Sequence, residues 1–168
     1  MNQTEKPRVE QGLWSKLKVS PNSFRHFMNC WPPLVAMRVH IERISPDWHE
    51  LDVRMKLSLR NKNYVGTHFG GGLYAMVDPF YMLLLTNILG RGYVVWDKAA
   101  TIEFIAPGQT TVFAKFRYSA AQIEEVLKAT ENGDKFEPTY EVLIQTASGE
   151  TVARVSKTLY IRKKRAVS

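Results

Sequence analysis

The chain has 168 residues, of which 45% are apolar, 11% aromatic and 23% charged, with a formal net charge of +7. That balance fits one ordinary globular domain and excludes a disordered or collagen-like class. A single cysteine, Cys30, excludes an internal disulfide framework and a multi-cysteine zinc site and makes the cytoplasm the expected compartment.

The first residues, MNQTEKPRVEQGLW, carry charges and no apolar core, unlike a secretory signal. Residues 10–18 and 24–30 read as short helices, the second entered through Pro21-Asn22-Ser23, where Pro and Ser suit a helix start. Trp31-Pro32-Pro33 stops that helix and predicts an extended segment from Leu34, with Val35, Met37, Val39 and Ile41 on one face. The expected division is an N-terminal helical segment over 1–33, a main domain over 34–162 and a basic tail over 163–168. After the Ser45-Pro46-Asp47 turn, residues 51–60 alternate strictly, with Leu51, Val53, Met55, Leu57 and Leu59 on one face. Such alternation predicts a half-buried strand, closed here by Asn61-Lys62-Asn63.

Gly70-Gly71-Gly72 leads into 73–89, a stretch rich in Leu and Met, too long for a typical strand and closed by Gly90 as a helix C-terminus would be. It predicts one mostly buried helix. Asp78, Pro79, Thr86 and Asn87 interrupt it, so it falls short of about 18–20 uninterrupted apolar residues and no membrane span is expected. Strands follow over 94–106, ending at Pro107-Gly108, and over 110–118, with Val112, Ala114, Phe116 and Tyr118 on one face. Residues 120–130 form a helical insertion closed by Asn132-Gly133. Strands over 136–147 and 151–162 are joined at Ser148-Gly149. This order asks for an α+β fold, one antiparallel sheet curled around one buried helix.

Residues 63–78, Asn63-Tyr64-Val65-Gly66-Thr67-His68-Phe69-Gly70-Gly71-Gly72-Leu73-Tyr74-Ala75-Met76-Val77-Asp78, carry a resemblance. The segment resembles that of hotdog-fold acyl-CoA thioesterases: Asn, then Gly-Thr, then a Gly pair, then an apolar helix ending its second turn in Val-Asp. Outside it, the resemblance extends over 34–162 at the level of fold pattern. It implies a hotdog fold and hydrolysis of an acyl-CoA or other acyl thioester, with CoA as part of the substrate and no cofactor. It implies that Asn63 orients the carbonyl or attacking water, that Gly70 and Gly71 supply backbone N–H groups, and that Asp78 is base or nucleophile. Gly72, Phe69 and His68 lie beside them as substrate-binding candidates. The resemblance also implies a homodimer, or a dimer of dimers, with the site at the subunit interface.

Elementary chemistry agrees with part of this. A helix N-terminus offers unsatisfied N–H groups and about half a positive charge, which suits the oxyanion formed when a thioester is attacked. A carboxylate in the apolar setting AMVDPFYMLLL is costly unless paired or used, and apolar surroundings can tune it as a base. Each residue also has a plainer reading. Asp78 can cap a second helix after a break at Pro79, the Gly triplet can be a tight turn, and Asn63 can be a turn residue after a strand.

Related thioesterases often carry His immediately before the Gly pair; here Phe69 holds that place and His68 lies one earlier, as a site candidate or a partly exposed loop histidine. His26, His40 and His49 are scattered without metal-ligand spacing, so no metal is expected. Asp97-Lys98 is the next polar pair, and strand geometry lets only one of the two face the site, with Asp97 the candidate. Tyr74, Tyr81 and Met82 fill core or line an acyl tunnel. The Pro107-Gly108 corner is similar to a recurrent turn of the superfamily and reads as structural.

The sequence contains no GxSxG, Walker A or GxGxxG, which leaves serine hydrolase, nucleotidase and Rossmann readings without support. Six of the 23 Lys and Arg residues (Arg154, Lys157, Arg162, Lys163, Lys164, Arg165) fall in the last fifteen positions. They read as a solvated strand edge and tail before a patch for a polyanion such as CoA. Without an aromatic-basic sheet motif a nucleic-acid partner is not expected. The alternative function is a non-catalytic acyl-CoA or lipid-binding hotdog protein, suggested by the shifted His68 and by Pro79.

Overall fold

The structure, a computed structural model, describes residues 19–165; the helix expected over 10–18 lies outside them. Helix α1 (Pro21–Asn29) starts as expected, with Pro21 in its first turn and the Ser20 hydroxyl accepting from Ser23 N–H. The extended segment expected from Leu34 is instead a second short helix, α2 (Pro32–Ala36). Its two prolines occupy the first turn, where no N–H is needed and φ is already helical, so the pair that stops α1 also starts α2. The strand begins only after Arg38, whose φ of 60° turns the chain.

Strand β1 (Val39–Ile44) pairs antiparallel with β2 (Glu50–Met55). Leu51, Val53 and Met55 are buried as the alternation predicts, but the strand stops there and Leu59 is 91% exposed. Asn61 is the reason. Its buried side-chain amide donates to the Met37 and Lys56 carbonyls and accepts from Ser58 N–H, pulling the chain out of the sheet before the alternation ends.

The central helix is built in two segments, α3 (Gly70–Ala75) and α4 (Phe80–Leu89). Asp78 N–H still donates to the Tyr74 carbonyl, but the next i→i−4 bond is Leu83 N–H to the Pro79 carbonyl, so the ladder is interrupted at the 76–79 turn and α4 starts afresh after Pro79. Residues 70–92 are long and apolar enough to cross a membrane by length and composition. In this fold they are the core helix, burying Leu73, Met76, Val77, Phe80, Tyr81, Leu84 and Leu85.

The remaining strands are β3 (Tyr93–Phe104), β4 (Val112–Arg117), β5 (Lys135–Phe136), β6 (Thr139–Thr146) and β7 (Thr151–Lys163). Helix α5 (Ala120–Ala129) is the insertion, opened by a capping box between Ser119 and Gln122. The seven strands form one sheet in the order β1-β2-β4-β6-β7-β3, with β5 beside β7 and every pairing antiparallel. This curved sheet around a central helix is the hotdog fold. The outer edge of β1 is covered, because the Asn29 side chain exchanges two hydrogen bonds with the Ile41 backbone. The β3 edge is long and runs through the exposed residues Lys98, Ala99, Ala100 and Thr101.

Candidate functional site

Lys157 belongs to the inward row of β7, between Val155 and Leu159, and its side chain has 0% exposure. A buried ammonium is costly unless paired. Its Nζ lies 2.8 Å from Asp78 Oδ1, 3.1 Å from Asp97 Oδ1 and 3.2 Å from the Tyr74 hydroxyl. Asp78 and Tyr74 are one helical turn apart on the central helix and so share a face. Asp97 arrives from β3 through an irregularity: the β3–β7 register slips between Asp97 and Ala99, placing Asp97 opposite Leu159 and Ala100 opposite Lys157. Opposed residues share a face, so the bulge turns Asp97 inward beside Lys157. Lys98 points elsewhere and pairs with Glu137.

Burial raises the Asp97 carboxyl above its ordinary range, against the opposing pull of Lys157. Its Oδ1 contacts the ammonium as an ion without an aligned hydrogen bond. Burial alone would lower Lys157, but the Asp78 hydrogen bond and the Asp97 charge outweigh it and the ammonium ends above its ordinary value. Burial, with help from a hydrogen bond to Asp78, likewise raises Tyr74. The Asp78 side chain is 45% exposed, so one of its oxygens is held from inside while the carboxylate as a whole meets solvent.

A second feature lies at the start of the helix. Asn63, Thr67, His68, Gly70, Leu73 and the 104–108 corner line an open cavity of about 390 Å³. Asn63 does not reach into it with a free group. Its Nδ2 donates to Thr67 Oγ1 and the His68 carbonyl, and its Oδ1 accepts from the Val65 and Thr67 N–H groups. Those contacts use all the hydrogen-bonding positions of an amide, which leaves none for the carbonyl-orienting task expected of it.

His68 is buried, with 3% exposure, and not the partly exposed loop residue that one reading allowed. Its Nε2 lies 2.8 Å from the Thr110 carbonyl oxygen, which can only accept, so Nε2 carries the proton and Nδ1 the lone pair. Nδ1 is buried without a hydrogen-bond partner among the described residues. Burial lowers His68 below its ordinary value, so it is neutral at pH 7.

At the helix start, the first ladder bond is Leu73 N–H to the Phe69 carbonyl, so the amides of Gly70, Gly71 and Gly72 precede the helical ladder. Phe69 folds back over Gly71 so closely that a Cβ there would stand 2.5 Å from the ring. Gly108 is constrained in the same sense, a Cβ standing 3.0 Å from the His68 ring.

The two features are separate within one chain. Asp78 does not line the cavity, and eight residues of helical rise separate it from Gly70 by about 12 Å. Sequence reasoning places Lys157 among the solvated basic residues of a strand edge and tail, whereas its side chain is fully buried. Its signal was available, since in Val155-Lys157-Leu159-Ile161 a lysine occupies an inward position of an otherwise apolar row. Thr67, whose hydroxyl lines the cavity while accepting from Asn63, was present only as a letter of the motif. Among the described residues no group of His, Cys, Asp and Glu could hold a metal ion.

Residues 22–161 match the domain of unknown function DUF4442. A search of curated proteins finds no match. Solved structures with the same fold include PA5026 of Pseudomonas aeruginosa, described as a protein of unknown function and probable thioesterase. It is 22% identical, covers 83% of this chain and 93% of its own, and superposes with a TM-score of 0.71. The thioesterase HI1161 of Haemophilus influenzae is 12% identical over 88% of this chain and 94% of its own, with a TM-score of 0.63. A protein of Shewanella oneidensis, provisionally described as a thioesterase, is 21% identical over 86% and 97% of the two chains, with a TM-score of 0.63. At these identities the likeness establishes the fold.

Proposed function

We propose that this chain, which belongs to the DUF4442 family, is an acyl-CoA thioesterase in which Asp78 is the reacting carboxylate. The observation that carries the reading is a half-exposed carboxylate fixed at one oxygen by a fully buried lysine, in the turn that follows the glycine-started helix α3. Burying an ammonium for structure alone is a poor bargain, since apolar replacements of buried ion pairs are often neutral or stabilising.

Asp78 takes a proton from water as the water oxygen attacks the thioester carbonyl carbon, or attacks that carbon itself to give an anhydride that water then opens. Amides at the helix start stabilise the oxyanion, the C–S bond breaks, and the products are the carboxylic acid and the CoA thiol. Gly71 and Gly70 supply these amides, Gly72 and Phe69 shape the approach, and His68 forms part of the wall against which the substrate packs. Asn63 acts by holding the loop, and Thr67 presents its hydroxyl to the cavity. Leu73, Phe104, Ile105 and Pro107 give the cavity the apolar lining that an acyl or pantetheine chain needs.

A site built across two chains brings together the carboxylate and the cavity, which lie about 12 Å apart along one chain. The exposed β3 edge is the surface through which a second copy pairs, so the working form is a homodimer, alone or within a tetramer. Thiol release from short, medium, long and aryl acyl-CoAs tests the reading. Turnover with one class supports it. Tight acyl-CoA binding without turnover would make the chain a binding module.

A further inference from the structure

We infer that Lys157 is a positioning residue, its buried ammonium pinning one carboxylate oxygen of Asp78, while Asp97 compensates the lysine. The inference rests on the reading of Asp78 as the reacting carboxylate and extends it to two residues that do not touch substrate.

A lysine on a strand normally carries its charge to solvent along its own flexible stem. Lys157 does not, and its side chain is 0% exposed with Nζ 2.8 Å from Asp78 Oδ1 and 3.1 Å from Asp97 Oδ1. The register slip in β3 that brings Asp97 inward serves the same cluster. The titratable groups facing Lys157 are Tyr74 and Asp78 from the central helix, Asp97 from β3 and, opposite it in the register, Tyr140 from β6.

Two carboxylates and one ammonium give the cluster one net negative charge. It can therefore accept one proton from water and become neutral, which a base requires, and the pinned Oδ1 leaves Oδ2 to meet that water. Removing either neighbour shifts this balance in opposite directions. Lys157→Met leaves two like charges that take up a proton more readily, whereas Asp97→Asn leaves a compensated pair that takes it up less readily.

The test is the pH dependence of kcat/KM for acyl-CoA hydrolysis in the wild type, Lys157→Met and Asp97→Asn. The acid limb moves up by about one pH unit or more in Lys157→Met and down in Asp97→Asn, and the plateau of Lys157→Met falls about tenfold or more. Unmoved limbs, or limbs moving the same way, would mean that Lys157 is structural only. If Lys157→Met does not fold, Asp97→Asn decides the point alone, at a side chain 27% exposed.

A second readout needs no turnover. The Asp97 carboxyl-carbon NMR titration moves to higher pH in Lys157→Met than in the wild type, because Lys157 lowers it, and an unchanged titration overturns the electrostatic role. A chain with the NMR shift and no hydrolysis of any acyl-CoA loses the thioesterase reading while keeping the electrostatic coupling of Lys157 to Asp97 in the cluster.

Discussion

Lys157 Nζ stands 2.8 Å from Asp78 Oδ1, yet the lysine side chain is fully buried and the aspartate is 45% exposed. The two therefore depend on each other unequally. Asp78→Ala leaves the ammonium beside Asp97 and Tyr74 and lets water replace the lost partner, so it costs about 1 kcal/mol. Lys157→Ala leaves a void and two uncompensated carboxylates, and costs about 3 kcal/mol or more. Urea unfolding of the two variants gives this order, and a larger loss for Asp78→Ala would contradict it.

The contact of Phe69 with Gly71 makes a coupled pair. A Cβ at residue 71 would stand 2.5 Å from Phe69 Cε1 and 2.8 Å from Cζ, so Gly71→Ala drives the ring off the helix start. The expected loss is about 1–2 kcal/mol of stability, together with reduced turnover. In Phe69→Ala the obstruction is absent, so Gly71→Ala in that background costs less than alone. A double-mutant cycle with no coupling energy would show that the ring gives way freely.

His68 gives a pH dependence with a definite sign. Burial lowers it from its ordinary value of 6.5, so the unfolded chain takes up a proton first as pH falls. The stability linked to His68 is complete above about pH 6.5 and is lost below it, until the folded imidazole also protonates, with a slope of at most about 1.4 kcal/mol per pH unit. Burial and Arg54 lower His40 too, which adds a slope of the same sign. Urea unfolding between pH 5 and 7.5 therefore shows a shallower decline in His68→Asn than in the wild type. Equal slopes would mean that His68 is not the buried neutral group described.

The separation of carboxylate and cavity predicts complementation. Asp78→Ala removes the carboxylate, and Gly70→Trp fills the cavity mouth where a Cβ already approaches the Phe104 ring to 2.9 Å. Each variant alone is inactive. After co-refolding in equal amounts, mixed dimers carry one intact site, and about a quarter of wild-type activity returns. A mixture that stays inactive while mixed dimers form would place the whole site within one chain.

Much of the fold is legible in the sequence because the signals are local. The Leu51-Val53-Met55 alternation, the Ser119–Gln122 capping box and the apolar 73–89 stretch each specify their element from neighbouring residues. Pro32-Pro33 misleads because the same φ serves an extended segment and a first helical turn. The 51–60 alternation overruns because the Asn61 amide bonds to Met37, 24 positions away, a contact no local pattern contains.

The site divides in the same manner. Asp78 and the glycines are readable from the 63–78 segment, and Asp97 from the strand rule that one of two adjacent side chains faces inward. Asn63 is assigned to the substrate by resemblance, whereas its own bonds keep it in the loop. The cavity needs the 104–108 corner folded onto the loop, through His68 N–H to Gly108 and Nε2 to Thr110, 42 positions from His68. Lys157 is hidden for another reason. It sits among basic residues that composition assigns to a solvated edge, and only its place in the inward row of β7 separates it from them.

The most direct measurement is CoA thiol release by the wild type and by Asp78→Ala, at the same protein concentration, on the acyl-CoA class that the wild type turns over fastest. Loss of the carboxylate should lower kcat by about 10²–10⁴-fold, the range for removing a general base, with the fold retained by unfolding midpoint. An Asp78→Ala protein that hydrolyses the same acyl-CoA at the wild-type rate would contradict the account.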